Sequence, residues 1–156
     1  MPIHHVNGNA LDTQAQTLCL GLNLRGRASL MSYETILRTR FPVFFSDYQR
    51  SITKNTLQGG NLWLFRDATP WLLGMILQDN PNGAVRLRYL EQALLQLRRD
   101  WQVEGITSLA ILPFADPLEW ATHRQMIDES LGGLPISIFL YDSFSAHDAP
   151  TEPPLA

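Results

Sequence analysis

Cysteine, lysine and long apolar runs are what this sequence has least of. A single cysteine, Cys19, stands among 156 residues. One thiol forms no internal disulfide, which suits a reducing compartment. Within Thr17-Leu18-Cys19-Leu20 it reads as a small buried strand residue. Lysine occurs once, at Lys54, and the arginines form no dense cluster. With a formal net charge of -3, the chain lacks the basic face on which duplex binders neutralise phosphates, so binding to a nucleic-acid backbone is not favoured. A small ligand carrying two phosphates is not excluded, because backbone N–H groups can hold it. No apolar run approaches membrane-spanning length, and none precedes a small-residue cleavage site. The expected setting is the cytoplasm, without a membrane partner.

Recognisable catalytic motifs are also missing. There is no nucleophile elbow and no phosphate-cradling Gly-Lys-Ser/Thr. His4, His5, His123 and His147 are scattered. Glu119 and His123 are four apart on an expected helix, yet no third ligand accompanies them, so they read as a surface pair and no metal site is expected. No cofactor is implied.

What the sequence does have is a core. Its hydrophobic fraction is 45% and its charged fraction 17%, enough apolar material for one folded domain. Strands are expected at 2–8, 17–24, 61–65, 71–77, 109–112 and 136–141. Leu18, Leu20, Leu22 and Leu24 share one face of the second, with Cys19 opposite. Helices are expected at 28–38, with Leu30, Met31, Ile36 and Leu37 apolar, and at 43–53, after Arg40-Phe41-Pro42 interrupts the pattern. The clearest helix runs over 84–104, where Leu87, Leu90, Leu94, Leu97 and Trp101 form a stripe and Gly105 ends it. A last helix starts at Asp116-Pro117-Leu118-Glu119. Asp116 has the chemistry of an N-cap, which explains it without a catalytic role. Trp63, Trp71 and Trp101 read as core, and Trp120 as the aromatic that lines a pocket.

Strands alternating with helices, several of them continuous apolar runs, imply a mainly parallel sheet covered on both faces. Ligands in such folds bind beyond the carboxyl ends of strands, here the loops near 9, 24, 78 and 113. One of these holds Arg25-Gly26-Arg27. Guanidinium and backbone N–H groups there can contact a phosphate, or the segment can be a solvated turn. The segment after Asp142 contains Pro150, Pro153 and Pro154 without periodicity, so 143–156 are expected to be disordered.

Arg86-Leu87-Arg88-Tyr89-Leu90-Glu91, the long helix, and Gly105 through Pro113 resemble the second half of macro domains, nearest to the antitoxin subgroup that reverses DNA ADP-ribosylation. Leu118-Glu119-Trp120, the Leu134–Tyr141 strand and the opening Val6-Asn7-Gly8-Asn9-Ala10-Leu11 continue the similarity, which covers about 3–142. The resemblance implies a three-layer α/β/α fold with a mixed, mainly parallel sheet over 1–142, an ADP-ribose cleft at the strand ends and, in some members, hydrolysis of ADP-ribose linkages. It places Asn9 where the family has its adenine-binding aspartate, and Asn23 at the family's asparagine. The cleft residues it implies are Asn9, Ala10, Leu11, Asn23, Arg25, Gly26, Pro113 and Phe114.

The departures concern the ligand. The turn Arg25–Ser32 keeps one glycine, the second phosphate loop is cut to Phe114-Ala115-Asp116-Pro117, and the antitoxin lysine has no counterpart. Glycine lets a backbone approach a phosphate, so its loss argues against ordinary diphosphate binding. The reading is a diverged macro-like domain, a non-catalytic pseudoenzyme that binds ADP-ribose or a related nucleotide. The alternatives are a protein-interaction module that has lost the ligand and a hydrolase with a rearranged site. No catalytic residue is assigned.

Overall fold

The computed structural model describes residues 3–27 and 31–155, the side chains at 31–33 excepted. The expected helix positions Leu30 and the side chain of Met31 lie outside the described residues. In chain order the elements are β1 (Ile3–Gly8), a 3-10 turn (Ala10–Asp12), β2 (Thr17–Asn23), α1 (Met31–Arg40), α2 (Pro42–Thr53), β3 (Leu62–Phe65), β4 (Trp71–Gln78), α3 (Leu87–Asp100), β5 (Ser108–Ile111), α4 (Pro117–Leu131) and β6 (Ser137–Phe144).

The strands form one sheet in the order β1-β6-β5-β2-β4-β3. All neighbours are parallel except β3, which pairs antiparallel with β4 at one edge. Alternation along the central strands sends their side chains into two separate cores. Leu18, Leu20 and Leu22 of β2 join Phe44 and Tyr48 of α2 on one face, while Cys19 faces Leu90, Leu94 and Leu97 of α3 on the other. The layers are thus α1 and α2, the sheet, and α3 and α4, as a sheet buried on both faces requires. Burial pushes the Cys19 thiol up to about 12, so it stays protonated at neutral pH. Among the described residues no helix is long and apolar enough to cross a membrane.

Several local expectations change. Helix α3 begins at Leu87 rather than 84, because the Arg86 N–H donates to the Leu77 carbonyl and holds the approach to the helix extended. Leu87, at the first helical position, is half exposed, and the buried stripe is Leu90, Ala93, Leu94 and Leu97. The segment expected to be disordered has defined partners. β6 continues to Phe144, and the chain beyond it folds back along β1. Asp116 caps α4 as expected, its Oδ1 accepting the N–H groups of Leu118 and Glu119, each at 3.1 Å.

Candidate functional site

Because five strands are parallel, the carboxyl ends of β1, β6, β5, β2 and β4 lie in that order along one edge of the sheet. All the residues expected in the cleft lie at or beside this edge. Those after β5 and β2 are neighbours. The end of β1 stands three strands from that of β2, roughly 14 Å at the usual strand spacing. That span suits a ligand the size of a dinucleotide laid across the strand ends.

At the end of β2, Asn23 is fully buried and shapes the turn that follows. Its Oδ1 accepts the N–H groups of Arg25 (2.9 Å) and Arg27 (3.4 Å), and its Nδ2 donates to the Arg27 carbonyl (2.6 Å). From α2, the Tyr48 hydroxyl accepts the Asn23 N–H at 3.0 Å and faces the carbonyls of Asn23 and Arg27, to one of which its single proton goes. Burial raises the Tyr48 pKa, so the hydroxyl keeps that proton at neutral pH. Gly26 has φ +82 and packs on Gln49, whose Nε2 lies 3.4 Å from the Gly26 carbonyl. The result is a braced turn that leaves the Arg25 and Arg27 side chains exposed. Arg27 lies 3.9 Å from Glu34 of α1, and Arg25 has no acidic partner among the described residues. Sequence reasoning found the arginine turn but missed Tyr48 and Gln49. Their signal is faint: a tyrosine in an aromatic-rich helix far along the chain from the turn it braces.

The end of β1 is partly covered by the chain that follows β6. Asn9 caps the 3-10 turn, its Oδ1 accepting the Leu11 N–H at 3.0 Å. Its Nδ2 lies 3.3 Å from Asp12 Oδ2 and 3.5 Å from the Ala146 carbonyl, and its N–H donates to the Asp148 carbonyl at 2.9 Å. Ala10 and Leu11 are 0% and 2% exposed and belong to the core on the α1–α2 side. They shape the wall without offering side chains to a ligand.

After β5, Pro113 and Phe114 are buried. Phe114 packs edge-on against Trp120 (4.8 Å between centroids) and lies 5.6 Å from His123. Two expectations are corrected here. Trp120 is a core residue, not a pocket lining, and His123 is buried beneath exposed Glu119 rather than paired with it on the surface. The cause is the stripe Trp120, His123, Ile127 and Leu131, which turns this face of α4 toward the sheet. Burial holds His123 below the ordinary imidazole range, against the pull of Glu119 and Asp116, so it is neutral at pH 7. The loop after β4 is internally paired: Asp79 accepts from Tyr89 Oη at 2.8 Å and from Arg86 Nε, which hold its carboxyl below the usual range.

An open hollow of about 500 Å³ is lined by Leu11 and the chain that follows it to Gln16, and by Trp71, where β2 and β4 begin. Its charges cancel, since Arg40 pairs with Asp12 at 2.9 Å. Among the described residues, no group of three His, Cys, Asp or Glu is placed to hold a metal ion.

This sheet order, with two helices on each face of a mainly parallel sheet, is the macrodomain fold. The macrodomain of Thermus aquaticus DarG superposes with a TM-score of 0.79 and 21% identity, over 89% of this chain and 97% of that one. The macrodomain of Mycobacterium tuberculosis DarG gives 0.79 and 18%, over 89% and 96%. Thermosipho africanus DarTG, solved in complex with ADP-ribose, gives 0.78 and 18%, over 94% of this chain and 43% of that longer one. No protein-family model and no curated protein matches the sequence.

Proposed function

We propose that this chain binds ADP-ribose or a related nucleotide across its strand ends, as a non-catalytic domain. The observation that carries the reading is the braced turn at the end of β2. Asn23 and Tyr48 commit their polar groups to fixing the backbone there, and the turn holds two arginines in water at the edge where open α/β sheets take ligands. A guanidinium delivers charge at longer reach than a backbone N–H, so it serves a loop that lacks the glycines for close approach. The complex of Thermosipho africanus DarTG with ADP-ribose, on the same fold, supports the choice of ligand. The commitment of the Asn9 carboxamide to its own turn favours the second reading, a protein-interaction module without a ligand.

Titration calorimetry against ADP-ribose, ADP and NAD separates them. The parent is expected to bind, and Arg25→Ala or Arg27→Ala to weaken binding by about ten- to a hundredfold, the worth of one charged hydrogen bond of roughly 1.5–3 kcal/mol. The melting temperature should stay unchanged. A parent that binds none of the three at millimolar concentration gives the case to the interaction module. Incubation with ADP-ribosylated DNA or protein should release no ADP-ribose. Sustained release, abolished by one cleft substitution, overturns the non-catalytic part.

A further inference from the structure

We propose that the segment Ser145–Pro153 sets the specificity of the cleft by closing its end over β1, so that the site selects a phosphorylated ribose and is indifferent to an attached adenine. The inference rests on the binding reading above. Beyond Phe144 the chain hooks over the end of β1 and returns antiparallel beside it. The Ser145 N–H donates to the Gly8 carbonyl at 3.1 Å, the Asn9 N–H to the Asp148 carbonyl at 2.9 Å, and the Thr151 N–H to the Asn7 carbonyl at 3.0 Å. The Thr151 hydroxyl oxygen accepts the Asn7 N–H at 2.9 Å. The approach is close enough to require glycine. Gly8 has φ +114, and a Cβ there would stand 2.5 Å from the Ala149 carbonyl oxygen.

Glu152 fastens the strap. Its Oε1 accepts the Gln14 N–H at 3.0 Å, and its Oε2 accepts the hydroxyls of Thr13 and Tyr141. Tyr141 is fully buried, so the latch is anchored in the core. A carboxamide is the neutral side chain that pairs with the edge of adenine. The carboxamide of Asn9 is already engaged, Oδ1 by Leu11 and Nδ2 by Asp12 and the strap carbonyl of Ala146. The arginines at the end of β2 stay exposed. The arginine end is exposed, whereas at the β1 end the carboxamide is committed to its own turn and to the strap.

The test titrates ADP-ribose and ribose 5-phosphate into the full chain and into Glu152→Ala, with amide exchange followed at Asn9, Thr151 and the core residue Leu94. The parent should bind the two compounds within about threefold of each other. In Glu152→Ala, Asn9 and Thr151 should exchange at least about tenfold faster while Leu94 stays protected. ADP-ribose should then bind about tenfold tighter, with ribose 5-phosphate unchanged. Binding of ADP-ribose by the variant alone, with the parent binding neither compound, overturns the inference, which requires the parent to hold the phosphorylated ribose. A parent that already prefers ADP-ribose by about tenfold or more overturns the inference while leaving the binding reading intact. So does a variant whose strap loosens without any gain for ADP-ribose. Should neither protein bind either compound, the binding reading fails and takes the inference with it. If Leu94 loses protection in Glu152→Ala, Thr13→Val removes one latch bond, together with the Ala15 N–H bond to the same hydroxyl, and is held to the same outcomes.

Discussion

The ends of β1 and β2 carry the same residue type at equivalent places in the fold, and the chain uses them in opposite ways. Asn23 is fully buried and turns its carboxamide inward, to hold a turn that pushes two arginines out. Asn9 is half-buried and spends its carboxamide on its own 3-10 turn, and the returning segment lies against its backbone. Both asparagines are local scaffolds. What differs is what the scaffold presents: solvated cations at one end, a surface lined by the returning chain at the other. The same residue type at equivalent places in one fold can therefore serve two different local tasks.

Substituting the two asparagines gives the largest expected contrast. Asn23→Ala removes three hydrogen bonds from a site without solvent access. It should cost about 2–4 kcal/mol by chemical denaturation, since the stranded N–H and C=O groups add to the lost bonds. Asn9→Ala removes a helix cap beside solvent and should cost about 1 kcal/mol. Equal losses would mean that the end of β1 is held as firmly by its asparagine as the end of β2, and the contrast breaks.

The glycines sharpen the same comparison at smaller scale. Gly8→Ala forces a Cβ against the Ala149 backbone, which yields only if the strap moves, whereas Gly26→Ala meets the flexible Gln49 side chain at 3.3 Å. Both pay for a positive φ, about 1–2 kcal/mol. Gly8→Ala alone should also speed amide exchange at Asn9 and Thr151. Unchanged exchange there would show that the strap does not depend on that approach.

How much of this was legible follows from the range of the contacts. The parallel sheet and its two helical layers announce themselves in local patterns: the apolar runs of β2 and β4, the Leu90–Leu94–Leu97 stripe, the Asp116 cap. The placing of the expected cleft residues at one edge of the sheet follows from strand direction alone. The strap does not, because Pro150 and Pro153 erase periodicity and its bonds join residues such as Asn7 and Thr151, 144 positions apart. Tyr48 is hidden in the same way, since an aromatic in α2 reads as core until its hydroxyl is seen on the β2 turn. His123 was legible in principle. The Trp120, His123, Ile127, Leu131 spacing is a buried stripe, but pairing His123 with Glu119 assigns it to the surface.

The smallest expected effect concerns the two arginines themselves, which the turn presents unequally. Glu34, nearly buried in the first turn of α1, accepts from Arg38 at 2.9 Å and lies 3.9 Å from Arg27. Arg27 is half exposed, so its pair with Glu34 is worth at most about 1 kcal/mol. On the proposed binding reading, that carboxylate competes with an incoming phosphate for Arg27 and not for Arg25. Glu34→Gln should therefore lower stability by about 0.5 kcal/mol through the Arg38 pair, while tightening ADP-ribose binding by about two- to fivefold. The gain should shrink as salt is raised past physiological strength, where screening acts within about 8 Å. A double-mutant cycle assigns it. In the Glu34→Gln background the penalty of Arg27→Ala should grow and that of Arg25→Ala should stay as in the parent, because only the first pair shares a partner. Equal growth of both penalties would show that the carboxylate acts on the whole edge through its field, and that the two arginines are equivalent.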